Sequence, residues 1–526
     1  MSNVRILDCT LRDGGYVNDF AFGERAILKI ISQLTFAGID IVECGFLEDG
    51  VYDVDKTLFV SVEQIKKFLP KDRKKTMYVA MACYGEYDLS QLSICDGTSI
   101  DGIRVTFHYN EIDGAIEYCR QIMRKGYKVF VQPVGTTSYT DKQLLSLIDK
   151  VNELHPYAFY LVDTLGLMQQ NDVLRLFYLI DHNLNKDVCM GFHSHNNLQL
   201  SYSNCLALAS LNSKREIFLD SSVYGMGRCA GNLNTELIAS SLNDTQECRF
   251  DIEPILEIVD EFIADIKAKY EWGYCVPYYL AAINGCHPNY AAYLSQKQTL
   301  TVRSIATILK MIEPNQRSLF DKELIEKKYL EYQSNEIEDC GNIAILEGAL
   351  KNRNILVLAP GASIEQMESQ ITDIATKHNC IVISVAFVPD FIKCDYVFIS
   401  NLRRYQTSFN AVNKDVAVIY TSNINVAENN KIVVNYSTLL NDNDHIRDNT
   451  SIMLLNLLAK LSVGTVYLAG MDGYKSNSVN YYKNLVHIVD NNILHYVDIN
   501  SAFANRIRQM KMHLDIRFVT PSLYDK

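Results

Sequence analysis

The stretch Val4-Arg-Ile-Leu-Asp-Cys-Thr-Leu-Arg-Asp-Gly-Gly-Tyr16 begins as a short apolar run and ends as a polar, glycine-containing loop. An amphipathic segment, Glu24–Phe36, follows it, and Gly38 lies just beyond, where a glycine commonly ends a helix. A strand, a loop and a helix in this order predict one unit of a parallel sheet, because parallel neighbours need a long crossover between them.

The same unit recurs along the first half of the chain. The predicted strands are Val4–Leu7, Ile39–Cys44, Met77–Ala82, Gly102–Thr106, Lys128–Val134, Phe159–Val162, Val188–Phe192 and Ile217–Ser221. The helix-like segments between them include Glu24–Phe36, Glu111–Lys125, Asp141–Leu154, Asn171–Asn183 and Leu198–Leu211. Eight such units close a (β/α)8 barrel, or TIM barrel, so we predict an α/β protein with a catalytic barrel over residues 1–250.

The rest of the chain predicts two further regions. Residues 251–345 are helical and charged, and we expect a helical cap or linker there. Over residues 346–526 strand-like apolar runs again alternate with helix-like segments, which predicts a separate, doubly wound domain. Its predicted strands are Ile355–Ala359, Ile381–Ala386, Tyr396–Ser400, Val416–Tyr420, Ile432–Asn435 and Thr465–Ala469.

Composition limits the classes of function. The chain has 526 residues, a formal net charge of −12 and fourteen scattered cysteines. The acidic balance argues against a nucleic-acid partner, because binding to the phosphate backbone requires basic surface. We find neither a secretory signal pattern nor an apolar run of the ~20 residues that span a membrane. We therefore expect a cytoplasmic protein with reduced thiols.

Polar side chains cluster where the predicted strands end. The second strand ends at Glu43, the fifth near Gln132 and the sixth at Asp163-Thr164, and the seventh ends in His193-Ser-His195. Because the carboxyl ends of barrel strands meet at one face, where barrel enzymes place their active sites, these residues are predicted to converge. We take Glu43, Gln132 and Thr164 as candidate substrate-binding residues.

Two histidines and a carboxylate predict a metal site. His193 and His195 point the same way if they lie on a strand, since side chains alternate with a period of two. Asp13 is the natural carboxylate partner, because the first and seventh strands flank the eighth. This set suits a divalent metal (Mn, Mg, Co or Zn) with positions left open for substrate, and Asn232 is a further oxygen ligand or a neighbour of the ligands. The alternative is a pair of structural histidines.

Arg12 precedes the proposed ligand Asp13. A guanidinium beside a metal can hold a carboxylate and stabilise the oxyanion of an enolate. In the alternative interpretation, Arg12 pairs with Glu43 or Asp163 inside the barrel mouth. The two roles are compatible.

Four motifs in this order resemble the DRE-TIM metallolyases, a family that includes hydroxymethylglutaryl-CoA lyases and 4-hydroxy-2-oxovalerate aldolases. The motifs are Asp8-x-Thr-Leu-Arg-Asp-Gly14, Val162-Asp-Thr-Leu-Gly166, Gly191-Phe-His-Ser-His-Asn196 and Gly225-x-Gly-Arg-x-x-Gly-Asn232. The resemblance covers residues 1 to about 300. It implies that Asp13, His193 and His195 bind the metal, with Asn232 as a fourth ligand, and that Arg12 stabilises a pyruvate-type enolate.

The sequence departs from this family at the expected base. The hydroxy-oxovalerate aldolases carry a histidine where this chain has Tyr16, and the acyl-CoA enzymes carry an acidic residue and glutamine after the motif. Tyr16 is therefore a candidate catalytic residue, a substrate contact or a core tyrosine. Tyr274, His287 and Tyr290, in the aromatic segment after the barrel, could reach the site from there, although aromatic packing is the stronger interpretation. We keep Tyr274 and Tyr290 as candidate substrate contacts.

The second α/β domain carries a weaker signal. Ile355-Leu-Val-Leu-Ala-Pro-Gly-Ala-Ser-Ile364 and Val466-Tyr-Leu-Ala-Gly-Met-Asp-Gly473 resemble Rossmann-type domains of bacterial glycosyltransferase-like and pterin-pyrophosphokinase-like proteins. The resemblance implies a nucleotide or a sugar phosphate as ligand, or a role in assembly alone.

These observations favour a metal-dependent aldolase that joins or separates a 2-oxo acid enolate and an aldehyde. One alternative is an acyl-CoA condensing enzyme or lyase of the same family. Another is a nucleotide-sugar-binding, transferase-like protein in which the barrel is a partner module. We also expect a homo-oligomer.

Overall fold

The computed structural model describes residues 3–245, 248–406, 416–425, 432–475, 480–482 and 496–525. The chain forms two compact units. Unit 1 comprises Met1–Ala291 and Glu313–Phe320, and unit 2 comprises Ala292–Ile312 and Asp321–Lys526. The compact units divide the chain at positions other than residues 250 and 345, where the sequence predicts domain boundaries. Those two boundaries stay predictions.

Unit 1 is built around a closed barrel of eight parallel strands. The circle closes because β1 pairs with both β2 and β9, while the short β3 extends the edge of β2. The strands are β1 Val4–Asp8, β2 Ile41–Leu47, β3 Leu58–Phe59, β4 Met77–Cys83, β5 Gly102–Phe107, β6 Lys128–Pro133, β7 Ala158–Asp163, β8 Cys189–Ser194 and β9 Ile217–Ser221. All eight predicted barrel strands are present, and the predicted TIM barrel is confirmed.

The helices of unit 1 follow from amphipathic sequence and local end signals. α1 (Glu24–Phe36) buries apolar residues at helical spacing, and Gly38 follows it with a φ of 82°. Gly126 follows α3 with a φ of 92°, a conformation that costs glycine little. The helices that cross between the barrel strands are α1, α2 Val62–Lys66, α3 Ile112–Arg124, α4 Asp141–Leu154, α5 Gln170–Asn183 and α6 Ser201–Ala209, and α7 Thr235–Thr245 follows the last strand.

Further helices continue unit 1 beyond the barrel. They are α8 Glu253–Ile258, α9 Ala264–Lys269 and α10 Val276–Ile283, and α11 Pro288–Gln296 begins in unit 1 and continues past its boundary at Ala291. Trp272 precedes α10 and donates through Nε1 to the carbonyl of Tyr224, 3.2 Å away. The amide of Gly273 donates to the carbonyl of Cys229 at 3.1 Å. These two bonds join the segment that contains α10 to the loop that follows β9.

Unit 2 contains a parallel sheet of seven strands. Its order is β14-β13-β12-β11-β10-β15-β16, with β10 Ile355–Leu358, β11 Ile381–Val385, β12 Tyr396–Ile399, β13 Ala417–Thr421, β14 Ile432–Val434, β15 Val466–Ala469 and β16 Ile516–Phe518. The six predicted strands are confirmed, and β16 was missed. Its three residues, Ile-Arg-Phe, are too few and too mixed in polarity to show a strand pattern.

The helices of unit 2 are α12 Val302–Lys310, α13 Lys322–Gln333, α14 Cys340–Leu350, α15 Ser363–Gln366, α16 Glu368–Lys377, α17 Leu402–Arg404, α18 Thr450–Lys460 and α19 Tyr496–Met510. α18 buries every residue from Ser451 to Leu458. A helix that is apolar on all sides belongs in a core, so α18 forms a large part of the interior of unit 2. Over the described ranges, no helix combines the length and apolar character that crossing a membrane requires.

Candidate metal centre and active site

Asp13, His193 and His195 converge at the carboxyl end of the barrel. Asp13 lies in the loop after β1, His193 lies in β8, and His195 follows that strand directly. One ligand atom from each residue lies within 4.8 Å of the others. The Nε2 atom of His195 is 3.5 Å from Oδ2 of Asp13. The three side chains are therefore close enough to share one metal ion.

Two buried polar atoms at this cluster support the metal interpretation. Among the described residues, Nε2 of His195 and Oδ1 of Asn232 are buried without a hydrogen-bond partner. Asn232 donates through Nδ2 to Asp13 Oδ2 at 2.6 Å, which leaves its amide oxygen available. Buried polar atoms usually have partners, because leaving one unpaired costs free energy. Two imidazoles, a carboxylate and an amide oxygen fit a divalent cation.

The partners of the two histidines fix the ring nitrogen that faces the cluster. Nδ1 of His193 is 2.9 Å from Oδ2 of Asp220, and Nδ1 of His195 is 3.3 Å from the carbonyl oxygen of Asp163. In both rings Nδ1 therefore carries the proton and Nε2 offers its lone pair. Burial lowers the pKa of His193, although Asp220 opposes the effect, and this keeps the ring neutral.

Arg12 is held at the same edge by two carboxylates. Its NH1 donates to Asp13 Oδ1 at 2.7 Å, and its Nε donates to Glu43 Oε2 at 2.8 Å. Burial opposes ionisation of Asp13, but Arg12 and the histidines hold the pKa of this carboxyl well below its ordinary value. NH2 of Arg12 is buried and lacks a partner among the described residues. The ion pair with Glu43 thus leaves one donor of the guanidinium available for a substrate oxygen.

Arg104 is the residue that sequence analysis missed. It lies in β5 and is fully buried, and it donates to Oε2 of Glu43 at 2.7 Å and to Oδ2 of Asp220. Its guanidinium carbon lies 4.9 Å from the ring centroid of Tyr160. Arg104 thereby links the carboxylate that holds Arg12 to the carboxylate that orients His193. A charged residue inside the apolar run of β5 was the available signal, because buried charges need partners.

The candidate substrate contacts have protein partners in the structure. Glu43 is fully buried between Arg12 and Arg104, and the Gln132 amide accepts from Arg104 when its oxygen faces that residue. The hydroxyl of Thr164 accepts from the amide of Gly135 at 2.9 Å. Each of these residues could still contact substrate through another atom, and the substrate-binding assignments stay predictions.

The two candidate tyrosines after the barrel differ in exposure. Tyr290 is fully buried, and its hydroxyl donates to the carbonyls of Gln316 and Leu319 at 3.0 and 2.6 Å. Tyr274 is 56% exposed, with the ring of Tyr279 at 6.5 Å between centroids. Tyr290 thus has the contacts of a packing residue, and the substrate-binding role proposed for each tyrosine stays a prediction.

Tyr16 forms part of an aromatic and cationic group beside the metal cluster. The guanidinium carbon of Arg228 lies 3.5 Å from its ring centroid. The rings of Phe20 and Phe46 lie at 5.1 and 5.9 Å in edge-on contact. Burial raises the pKa of the Tyr16 hydroxyl, and Arg228 and Arg12 offset this only in part. Tyr16 is therefore protonated near neutral pH and suited to donating a hydrogen bond.

His287 precedes α11 and offers a neutral imidazole. Its Nδ1 accepts from the amide of Asn289 at 3.2 Å, so the neutral ring carries its proton on Nε2. Burial lowers the pKa of His287 to about 4, and the charges of Arg228 and His195 add to this effect. Arg228, one of the charges that act on His287, is the residue whose guanidinium packs on Tyr16. Sequence analysis considered His287 and left it out of the site.

Comparisons with known proteins match the half of the chain that forms the barrel. The model of the family described as HMGL-like matches residues 3–260. An oxaloacetate decarboxylase from Mycobacterium tuberculosis is 26% identical over 246 residues, which are 45% of this chain and 69% of the relative. A 4-hydroxy-2-oxovalerate aldolase from Geobacillus genomosp. 3 is 24% identical over 266 residues, 50% of this chain and 77% of the relative. Among solved structures, the N-terminal domain of a proposed aldolase from Bacteroides vulgatus is 24% identical with a TM-score of 0.49, over 58% of this chain and 99% of that one.

Proposed function

Because residues 3–260 belong to the HMGL-like family, we propose that this protein is a metal-dependent lyase acting on a 2-oxo acid of the pyruvate type. In the favoured reaction it makes or breaks the carbon–carbon bond between the enolate of that acid and an aldehyde. The observation that carries the proposal is the buried cluster of Asp13, His193 and His195 with the unpaired Asn232 oxygen beside it. Both relatives are named after a 2-oxo acid, oxaloacetate in one case and 4-hydroxy-2-oxovalerate in the other.

The chain's own residues account for binding and charge stabilisation. Asp13, His193, His195 and Asn232 would hold a divalent cation, which when bound would supply a Lewis acid for the 2-oxo group. Arg12 directs its unpaired NH2 toward the oxygen that becomes negative as the enolate forms. Glu43 holds the guanidinium in place from the side remote from substrate.

Proton transfer needs a base, and two residues are candidates. Tyr16 was predicted as a catalytic residue, but its raised pKa keeps the hydroxyl protonated. A protonated hydroxyl suits donation of a hydrogen bond better than acceptance of a proton. His287 is neutral at working pH, but its Nδ1 lone pair accepts from the Asn289 amide, so accepting a proton would break that hydrogen bond. We keep both residues as candidates for proton transfer, with Tyr16 also able to donate a hydrogen bond to substrate. The exchange rate described next, measured for Tyr16→Phe and His287→Gln, distinguishes them: the variant that loses exchange lacks the base.

Exchange of substrate protons tests the lyase proposal. In deuterated water, protein loaded with Mn, Mg, Co or Zn should incorporate deuterium at the methyl carbon of pyruvate without any aldehyde. A chelator should stop the exchange. His193→Ala and His195→Ala should lose both exchange and metal, whereas His182→Ala, a change of an exposed histidine in α5, should lose neither. If pyruvate does not exchange and the methyl protons of acetyl-CoA do, the alternative of an acyl-CoA condensing enzyme or lyase replaces the aldolase.

Unit 2 supports a second function, the binding of a nucleotide or a sugar phosphate. A cavity of about 440 Å³ lies at the carboxyl ends of its strands, a volume in the range of small-molecule sites. Its wall contains three cationic side chains, Lys297, Lys322 and Arg404, and three acidic ones, Asp444, Asp448 and Asp472, so the proposal depends on the position and size of the cavity and not on its net charge. The third interpretation, a transferase-like protein, depends on this cavity. A cytoplasmic location and a homo-oligomeric state stay predictions.

A further inference from the structure

Arg228 lies in the loop that follows β9, next to the residues of the metal cluster. The preceding residue, Gly227, has no room for a side chain, since a Cβ atom there would lie 2.9 Å from Oδ2 of Asp13 and 2.4 Å from Nδ2 of Asn232. The carbonyl of Arg228 accepts from the amide of Gly231 at 2.8 Å. The backbone of Arg228 is therefore fixed one residue away from a direct contact with the candidate metal ligands.

The side chain of Arg228 stacks on the ring of Tyr16. Its guanidinium carbon lies 3.5 Å from the ring centroid, a distance at which the flat guanidinium covers the face of the ring. Tyr16 belongs to the loop after β1, and its amide is 3.4 Å from the carbonyl oxygen of Asp13. The stack thus joins the loop that contains Asp13 to the loop that contains Asn232.

Two further aromatic rings hold Tyr16 in place. The rings of Phe20 and Phe46 contact the Tyr16 ring edge-on at 5.1 and 5.9 Å between centroids, and they contact each other at 5.7 Å. The guanidinium carbon of Arg12 lies 5.9 Å from the centroid of Phe46. A continuous series of contacts, through Phe46 and Tyr16, therefore connects Arg12 with Arg228.

Arg228 differs from the two buried arginines of the site in the use of its charge. Arg12 and Arg104 are each paired with two carboxylates. Arg228 is exposed, and among the residues that the structure describes, none forms a hydrogen bond or an ion pair with its side chain. Tyr16 is 37% exposed, and over the described ranges its hydroxyl has no hydrogen-bond partner either. A positive charge without a protein counter-ion and a hydroxyl donor thus lie side by side.

This pair of groups has the chemistry of an anion site. Stacking uses the face of a guanidinium and leaves its N–H edge available, and that edge can donate two parallel hydrogen bonds to one carboxylate or phosphate. Because burial raises the pKa of Tyr16, its hydroxyl is protonated near neutral pH and can donate a further hydrogen bond. An anionic group of a substrate would therefore meet donors from both side chains.

From these contacts we propose that Arg228, stacked on Tyr16, determines substrate specificity by binding an anionic group, a carboxylate or a phosphate, on the aldehyde that reacts with the enolate. The 2-oxo acid has its own partners in the metal cluster and Arg12, and the two arginines contact different rings. The inference rests on the proposed lyase function and names the class of its second substrate. A neutral aldehyde of the same length would lack the contact.

Steady-state kinetics of the full-length, metal-loaded protein test the proposal, with pyruvate and matched pairs of aldehydes. Succinic semialdehyde is compared with butanal, and glyceraldehyde 3-phosphate with glyceraldehyde. In each condensation the methyl carbon of pyruvate loses a proton and bonds to the aldehyde carbon, whose oxygen gains a proton, so no further reactant is needed. The wild-type protein should have a higher kcat/KM for the anionic member of a pair, through a lower KM for the aldehyde, and the pair that shows this identifies the anion.

Variants of Arg228 should remove this preference. Arg228→Ala should reduce the ratio of kcat/KM between the anionic and the neutral aldehyde about 10-fold, near the lower end for a hydrogen bond to a charged group, because the guanidinium is exposed. Arg228→Lys keeps the charge without the planar fork and should reduce the ratio less. Arg124→Ala is the matched control. It changes an exposed arginine at the end of α3, which leads to the opposite end of the barrel strands, and should leave the ratio within about twofold.

Other outcomes separate this inference from the function on which it rests. Equal kcat/KM for anionic and neutral aldehydes, in wild-type protein that exchanges the protons of pyruvate, would overturn the anion site and leave the lyase function in place. A preference that survives in Arg228→Ala, with a raised KM for pyruvate or without one, would overturn the role of Arg228. Absence of pyruvate exchange in the wild type would overturn the lyase function and this inference with it. Circular dichroism and metal content verify that each variant is folded.

Discussion

At the residue level, two nitrogens of the Arg12 side chain bond protein carboxylates, and a third is available to a substrate. NH1 and Nε are used by Asp13 and Glu43, and NH2 is left without a partner in the described part of the chain. Because the guanidinium is planar, bonds to two of its nitrogens also set the direction of the third. The ammonium group of lysine has no such planar geometry. This division explains how an arginine can be paired inside the barrel mouth and still serve a substrate.

Replacing Arg12 should slow enolate formation. Arg12→Ala removes one preorganised donor and should reduce deuterium exchange into pyruvate by about 10²–10³-fold. Arg12→Lys should recover little of the rate because the fork is lost. Metal content is the control, since Asp13 loses a partner in both variants. Full exchange by Arg12→Ala at wild-type metal occupancy would rule out the assigned role.

Asp220 should control metal affinity without touching the metal. It accepts from Nδ1 of His193 and from Arg104, and partners of this kind are typically worth 10–100-fold in metal affinity. Asp220→Asn should therefore weaken binding by about that factor in competition with a fluorescent chelator. Asp187→Asn, a change of an exposed aspartate before β8, is the matched control. Equal affinity in the two variants would show that His193 is oriented by other contacts.

His287 should make unit 1 sensitive to acid. Its folded-state pKa of about 4 lies below the ordinary value of 6.5, so between these pH values the unfolded chain binds a proton that the folded chain does not. Stability is therefore lost as pH falls from 6.5 toward 4. Urea unfolding of chelator-treated protein should show wild type losing roughly 1–3 kcal/mol more than His287→Gln over this window. Parallel pH profiles would contradict a buried neutral imidazole.

At the element level, strand ends and the loops after them determine both sites. In unit 1, His195 lies beyond the end of β8, where it forms a bridge with Asn232 from the loop after β9. In unit 2, the loops after β10 and β15 approach so closely that a Cβ on Gly470 would lie 2.0 Å from the carbonyl oxygen of Ala359. Gly470 also has a φ of 75°, which side chains other than glycine rarely adopt.

A methyl group at that crossing should destabilise unit 2. Gly470→Ala meets a backbone atom and an unfavourable φ, and we expect a loss of at least about 2 kcal/mol, as for other strained or overpacked sites. Gly348→Ala, in α14, meets no atom within 4 Å and should stabilise by about 0.5–1 kcal/mol. Chemical unfolding of both variants provides the comparison. A neutral Gly470→Ala would mean that the two loops can separate at little cost.

At the level of the whole molecule, unit 2 includes residues that lie well before its sheet in the sequence. Tyr329 in α13 donates to Asp448, and Thr299 shares a hydrogen bond of 2.7 Å with Tyr329. Lys297 pairs with Glu326, also in α13. Residues 292–312 therefore belong to the fold of unit 2 although they precede part of unit 1 in sequence.

Fragments should reveal this division. A fragment of residues 292–526 should unfold cooperatively. A fragment of residues 346–526 lacks α12 and α13, so Asp448 loses its partner Tyr329, and this fragment should be markedly less stable. Urea titrations followed by circular dichroism measure the difference. If residues 346–526 matched the longer fragment in stability, the preceding helices would contribute nothing to the core of unit 2.

The sequence by itself determined the barrel and the convergence of Asp13, His193 and His195, the candidate metal ligands. Apolar runs alternating with amphipathic segments predict a parallel sheet, eight such units predict that it closes, and the carboxyl ends of its strands then share a face. Asp13, His193 and His195 were therefore predictable as neighbours, although 180 residues separate the first two along the chain. The seven-stranded sheet of unit 2 was predictable for the same reason, apart from the three-residue β16.

The tertiary structure alone decided which charges neutralise one another. Arg104 lies 61 residues from Glu43 and 116 from Asp220, and no local pattern pairs them. In unit 2, Ser363 and Asp472 are 109 residues apart, and their contact fills the turn after β10. The spacing of apolar residues along the sequence indicates which face of a helix or strand is buried. The partner of each buried charge depends on how strands and loops distant in sequence are brought together in space, and only the assembled fold determines that.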